Sequence, residues 1–301
     1  MKAITVYSKS LVAIAMTLFC VQGLAQVKDQ SAPLVKNICP KKVTPKGKEI
    51  LFEIRTSFGT MKGKLYNTTP IHRDNFVKLV QENYYDSLLF HRVINQFMIQ
   101  GGDPGSRNAA ADKPLGNGGP GYTLKAEILP ALFHKKGVLS AARQPDNVNP
   151  EKRSSGSQFY LVQGKVYSEQ MLKTQEQRVN QSNSNKIIRD YLRNPENKAD
   201  LDAVSYCQKN KLDDSLSNII ARISAVVSKN QTPFTFTPDQ RNAYSTVGGT
   251  PHLDNGYTVF GEIIEGLSVI DKIAAIPVGP KSRPKENVIM TIRILDQNTK
   301  Q

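Results

Sequence analysis

From Ile50 onward the chain is cut into apolar runs of strand length, and this punctuation constrains its fold more than any other feature. The runs cover 50–56, 60–66, 88–93, 97–100, 138–142 and 158–162, resume at 257–261 and end at 288–295. Ser57-Phe58-Gly59 joins the first two, and its glycine can take positive φ in a tight turn, so they predict a hairpin. Pro70 then opens a helical stretch in which Phe76, Val77, Leu79 and Val80 cluster on one side until Asn83, and a second helix is expected over 267–275. Gly, Pro and Asn fill 101–121, which must be mostly loop. Its Gly116-Asn117-Gly118-Gly119-Pro120-Gly121 approximates a dinucleotide fingerprint, but no strand leads into it and no helix follows.

Between 165 and 240 the texture turns polar and helical. Asn194-Pro195 marks a helix start, and Leu212, Leu216, Ile219, Ile220, Ile223 and Val227 recur at helical spacing as an apolar stripe. A β-type body split by a helical insertion follows: 49–164 and 241–298 form one domain, and 165–240 the insertion.

The start of the chain reads as an address. Lys2 and Lys9 precede an apolar run over 11–19 and small residues ending at Ala25, the pattern of a secretory leader over 1–25. The run is too short to span a bilayer, and no later segment is apolar enough. Cys20 follows Thr17-Leu18-Phe19, bulkier than a lipoprotein signal places there. Residues 26–48, with Pro33, Pro40 and Pro45, read as a linker. Export, most simply to a bacterial periplasm, is the expectation. Without the leader the chain keeps Cys39 and Cys207, for which a disulfide and two buried thiols are both open. These thiols and the four histidines lack metal-ligand spacing, and no cofactor is expected.

The formal charge is +14, or +12 once the two leader lysines are removed. Such a charge favours anionic partners, but the basic residues are scattered and form no block with interleaved aromatics, so specific nucleic-acid binding is not expected.

Three segments carry the chemistry: Phe90-His91-Arg92-Val93-Ile94-Asn95-Gln96-Phe97-Met98-Ile99-Gln100-Gly101-Gly102-Asp103, then Gly156-Ser157-Gln158-Phe159-Tyr160, then Pro251-His252-Leu253-Asp254 with 257–261. In order and content they resemble the cyclophilin-type peptidyl-prolyl cis/trans isomerases, over about 49–164 and 241–298. The resemblance implies a closed eight-stranded antiparallel β-barrel capped by two helices, here with a helical insertion. It also implies catalysis by Arg92 with Gln100, and a substrate surface of Phe97, Met98, Ala142, Arg143, Gln158, Tyr160, His252, Leu253 and Tyr257. Phe97, Met98, Tyr160 and Leu253 would surround the proline ring, while Gln100 and Gln158 hold the peptide backbone or Arg92. Proline-containing unfolded or exported polypeptides would be the partners.

Elementary chemistry fits these residue types. Twisting an amide costs roughly 18–20 kcal/mol because C–N resonance is lost. The proline nitrogen becomes basic only when twisted, so a fixed donor aimed at it binds the transition state better than either ground state. Arg92 is always charged and carries a rigid donor fork. The pleat puts Met98 with Gln100 and Gln158 with Tyr160 on one face, Ile99 and Phe159 on the other, and Phe90 on Arg92's side. No carboxylate partner is marked for His91, and Ser157 lacks the surroundings of a hydrolase nucleophile.

Departures from the family pattern bear on specificity. His252 stands where a Trp precedes the Leu-Asp pair, Arg143 where an Asn is usual, and Tyr257 where the pocket His is usual. The lack of any Trp leaves cyclosporin sensitivity open. A second function class is a chaperone or partner-binding module built on the insertion; a third reading has the insertion merely cap the barrel.

Overall fold

The computed structural model describes residues 49–229 and 231–295. The expected leader (1–25), Cys20, the linker (26–48) and Cys39 lie outside them. The hairpin forms as expected: β1 (Ile50–Thr56) and β2 (Gly59–Leu65) pair in unbroken register from Ile50 opposite Leu65 to Thr56 opposite Gly59. Gly59 takes φ +131°, a conformation that a side chain would oppose.

Seven further strands extend this pair: β3 (Leu88–Leu89), β4 (Arg92–Ile94), β5 (Met98–Gly101), β7 (Val138–Ala141), β9 (Phe159–Val162), β10 (Val259–Glu265) and β11 (Ile289–Leu295). They form one nine-stranded sheet in the order β3-β11-β1-β2-β10-β7-β9-β5-β4, every pairing antiparallel. A separate pair, β6 (Thr123–Leu124) with β8 (Ser154–Ser155), sits on the loops.

The architecture is the expected mainly-β one, with two differences. Among the described residues the main sheet has nine strands where eight were expected, and its hydrogen bonding does not run continuously round a closed barrel. Both have one origin. The expected strand over 88–93 is interrupted at Phe90-His91, so its halves become the sheet's two outermost strands, β3 against β11 and β4 against β5. The interruption also resets the alternation. Phe90, expected on Arg92's side, is fully buried in the main core, while Arg92 is exposed.

Two helices cover the sheet, α1 (Pro70–Gln81) and α6 (Leu267–Ala274). Phe76, Leu79 and Val80 of α1 join Val269, Ile270 and Ile273 of α6 in one core with Phe52, Ile99, Phe159 and Leu161 of the strands. The cap of α1 comes from far away in sequence. Its N-cap residue Thr69 makes no side-chain cap bond, and the carboxylate of Glu127 instead accepts from the main-chain N–H of Ile71 (3.1 Å) and His72 (3.0 Å). The same carboxylate lies 2.7 Å from His72 Nδ1.

The chain divides into two bodies, one holding 173–235 and the other the remaining described residues. The smaller contains most of α2 (Glu169–Arg193), then α3 (Lys198–Lys209) and α4 (Asp213–Val227). Asn194 caps a short 3-10 turn, Pro195–Asn197, before α3 begins. Most of the expected apolar stripe is internal to this body: Ile220 and Ile223 pack with Ile188, Leu192 and Val204, flanked by Leu216, Ile219 and Val227, while Leu212, just before the helix, is exposed. Cys207 is buried here. In the larger body, α5 (Pro238–Thr246) opens with a capping box between Thr237 and Gln240. Among the described residues no helix is long and apolar enough to cross a membrane.

Candidate active site

The pleat separates two apolar clusters. Ile99, Leu139, Phe159 and Leu161 point into the main core, and the residues between them, Met98, Val138, Tyr160 and Val162, form a second cluster with Val259. Phe97, Ala142, Leu253 and Tyr257 are half-buried around that second cluster, along with Ile94 and Leu132. Met98 and Tyr160 are only 2% and 4% exposed, so they floor this surface while Phe97, Leu253 and Tyr257 present it. His252 is exposed at its edge but lies stacked on Phe97, ring centroids 5.4 Å apart. Desolvation of the ring, with His134 nearby, lowers the His252 pKa and favours neutral imidazole.

Beside the apolar surface runs a directed line of hydrogen bonds. Arg92 and Gln100 face each other across β4 and β5, and Gln100 faces Tyr160 across β5 and β9. Arg92 Nη1 donates to Gln100 Oε1 (3.1 Å), and Gln100 Nε2 donates to Gln158 Oε1 (3.0 Å). Gln158 Nε2 donates to the carbonyl oxygens of Gly116 (2.9 Å) and Gly118 (2.7 Å). A carbonyl can only accept, so Gln158 must turn its NH2 to the loop and its oxygen to Gln100. Gln100 must then offer its own oxygen to Arg92. Of the two glutamines, Gln100 takes the contact with Arg92, and Gln158 holds Gln100.

The loop carbonyls are themselves fixed by Asp103, which is 2% exposed. Its carboxylate accepts from the N–H of Gly105 (2.7 Å), Gly116 (2.5 Å) and Gly118 (3.3 Å). A Cβ at Gly118 would overlap this carboxylate, which is why glycine stands there. His91 packs behind the same loop, and burial pulls its pKa down to about 4, against the opposing pull of Asp103.

Arg143 braces the far wall. Its Nε donates to the carbonyl of Gly256 (2.6 Å), its Nη1 to that of Gln144 (2.9 Å), and its guanidinium lies over the Tyr257 ring.

The family model described as cyclophilin type peptidyl-prolyl cis-trans isomerase/CLD matches residues 51–173 and 220–294. The chain belongs to this family. A Streptococcus pyogenes serotype M6 protein named as a bifunctional phosphatase/peptidyl-prolyl cis-trans isomerase is 31% identical over 247 residues, 81% of this chain; the chain spans only 38% of that protein's length. A Staphylococcus aureus (strain USA300) protein named as a peptidyl-prolyl cis-trans isomerase is 29% identical over 243 residues, 80% of this chain and 89% of that protein. A solved Cryptosporidium parvum cyclophilin type isomerase aligns at 19% identity and a TM-score of 0.48, covering 83% of this chain and 99% of that one.

The structure thus brings all the expected residues of this cyclophilin-type domain to two neighbouring features, the Arg92 line and the apolar surface. Three contributors escaped the sequence reading. Asp103 closes the quoted signature but was not assigned its loop-holding role. Asp254 was quoted only as part of a segment, and His134, fully buried against it, has no motif at all. A carboxylate directly after Gly101-Gly102, facing a glycine-rich loop, was the one available signal.

Proposed function

We propose that this chain accelerates cis/trans isomerisation of X-Pro bonds in exported polypeptides and thereby assists their folding. The observation carrying the reading is the line from the Gly116 and Gly118 carbonyls through Gln158 and Gln100 to Arg92, set beside an apolar surface of Phe97, Leu253 and Tyr257. The proline ring packs on that surface over Met98, Tyr160 and Ala142. Arg92 donates to the proline nitrogen as it pyramidalises, and because its guanidinium is already held by Gln100, little reorganisation is needed at the transition state.

His252 and Tyr257 give the surface an aromatic rim, and Arg143 holds it in place. The basic leader followed by an apolar run supports export, with the periplasm as the site of action. The helical body has its own closed core, and the family match omits 174–219 within it.

A protease-coupled assay on a proline tetrapeptide tests the reading. Arg92→Ala is expected to lower kcat/KM by about 10²–10³, the cost of removing one preorganised transition-state donor. Wild-type activity no higher than that of Arg92→Ala sinks it.

A further inference from the structure

Beneath the apolar surface lies a buried polar line that proline isomerisation itself does not require. His134 is fully enclosed, with Nδ1 3.0 Å from Asp254 Oδ1 and its main-chain N–H donating to the same oxygen at 2.8 Å. Its Nε2 lies 3.0 Å from the Tyr160 hydroxyl. The other oxygen of Asp254 accepts from the Tyr244 hydroxyl at 2.6 Å.

The bonds to Asp254 have a fixed direction. A carboxylate only accepts, so His134 Nδ1 and the Tyr244 hydroxyl donate to it, and the protonated Tyr160 hydroxyl meets His134 Nε2. Burial pushes the Tyr160 phenol up, which keeps that proton in place. Two donors, Tyr244 and His134, converge on Asp254, and Tyr160 completes the line.

The line joins both walls of the surface. Tyr160 belongs to β9, whereas Asp254 belongs to the segment that carries His252, Leu253 and Tyr257. The Tyr257 ring meets His134 and Tyr160 edge to face, at 6.2 Å and 5.9 Å. Tyr244 stands back from the surface on α5, its ring packed on Phe133, Tyr167 and Phe236.

Resting on the proposed isomerase function, we infer that the Tyr244–Asp254–His134–Tyr160 line is a positioning device that sets the spacing between the walls receiving the proline ring, with Tyr244 as its outer anchor. Loosening it weakens proline binding and leaves the Arg92 step untouched, because the Arg92 line ends on a different loop.

The test compares KM and kcat for a proline tetrapeptide in the full chain and in Tyr244→Phe, Tyr160→Phe, their double variant and Tyr191→Phe. The last deletes an equivalent hydroxyl-to-carboxylate bond, Tyr191 to Asp200 (2.9 Å), in the helical body. Tyr244→Phe is expected to raise KM about tenfold, the effect of one lost buried hydrogen bond to a charged group, with kcat within about twofold. Tyr160→Phe should do the same, the double variant should be no worse than either, and Tyr191→Phe should leave KM unchanged. A Tyr244→Phe KM within about twofold of wild type, or single effects that multiply in the double variant, overturns the inference. Calorimetric titration with the same peptide separates the two readings. Wild type that binds without turnover defeats the isomerase function, and the Kd values then decide the positioning role. Wild type that neither binds nor turns over defeats both.

Discussion

Arg143 lies over the ring of Tyr257, its guanidinium carbon 4.5 Å from the ring centroid. Its side chain is only 6% exposed, and Nε spends its proton on Gly256, the residue next to the ring it covers. One side chain therefore holds the segment 256–257 by a charge-assisted hydrogen bond and a cation–π contact. Deletion should forfeit both, about 2–3 kcal/mol together. Arg143→Ala is expected to lower the denaturant midpoint by that amount and to raise KM. Arg143→Lys should recover only part of the stability, since an ammonium cannot serve the ring and the carbonyl at once. Equal stability of the Lys variant and wild type would contradict this account.

The glutamine line makes a prediction about coupling. Gln158 orients Gln100, and Gln100 orients Arg92, so cutting either link should free Arg92 to the same extent. Gln100→Leu and Gln158→Leu are each expected to lower kcat/KM about 10–100-fold, the range of one hydrogen bond to a charged group. The double variant should fall little further than the single ones. Additive losses in a double-mutant cycle would mean that the glutamines act separately, for instance each on the peptide backbone.

Where the determinants were local, the sequence disclosed them. The alternation of Met98 and Ile99 was readable because a strand has period two, and it put Ile99 in the main core and Met98 in the second cluster. The stripe from Leu216 to Val227 was readable for the equivalent helical reason, and Leu212, which precedes the helix, stays exposed. Phe90 failed because two residues leave the ladder between β3 and β4, an interruption that propensity does not mark. Glu127 and His134 were invisible because each acts across a long stretch of chain, on Ile71 and on Asp254, and a lone polar residue in a loop gives no hint of its partner. Thr237 and Gln240 form a capping box, a local helix-start pattern that lies within the polar stretch.

Glu127 supports a stability prediction. Its carboxylate takes three donors at the start of α1, where the N-cap residue offers none. Glu127→Ala leaves those groups without it, and His72 is 2% exposed, so water cannot easily replace it. The expected loss is about 2–3 kcal/mol, or roughly 5–10 °C in Tm for a domain of this size. Because Glu127 touches neither the Arg92 line nor the apolar surface, kcat and KM below the transition should match wild type. A change in kcat without a change in Tm would refute the capping role.

His91 gives the chain an acid limb whose sign can be worked out. Burial lowers its pKa from 6.5 to about 4, so between these values the unfolded chain binds a proton that the folded chain refuses. Stability is therefore intact above about pH 6.5 and is lost as the pH falls to about 4, by roughly 3 kcal/mol in all. His252, also lowered, contributes in the same direction. Asp86 does too, but only in a more acid window, because its hydrogen bond from Arg293 holds its pKa below 3.8. Urea titrations at a series of pH values should show the unfolding free energy falling across that range. His91→Gln, which keeps a polar side chain but cannot titrate, should flatten most of that slope while His252→Gln flattens little. An unchanged slope in His91→Gln would place the titrating group elsewhere and remove His91 from the account of acid sensitivity.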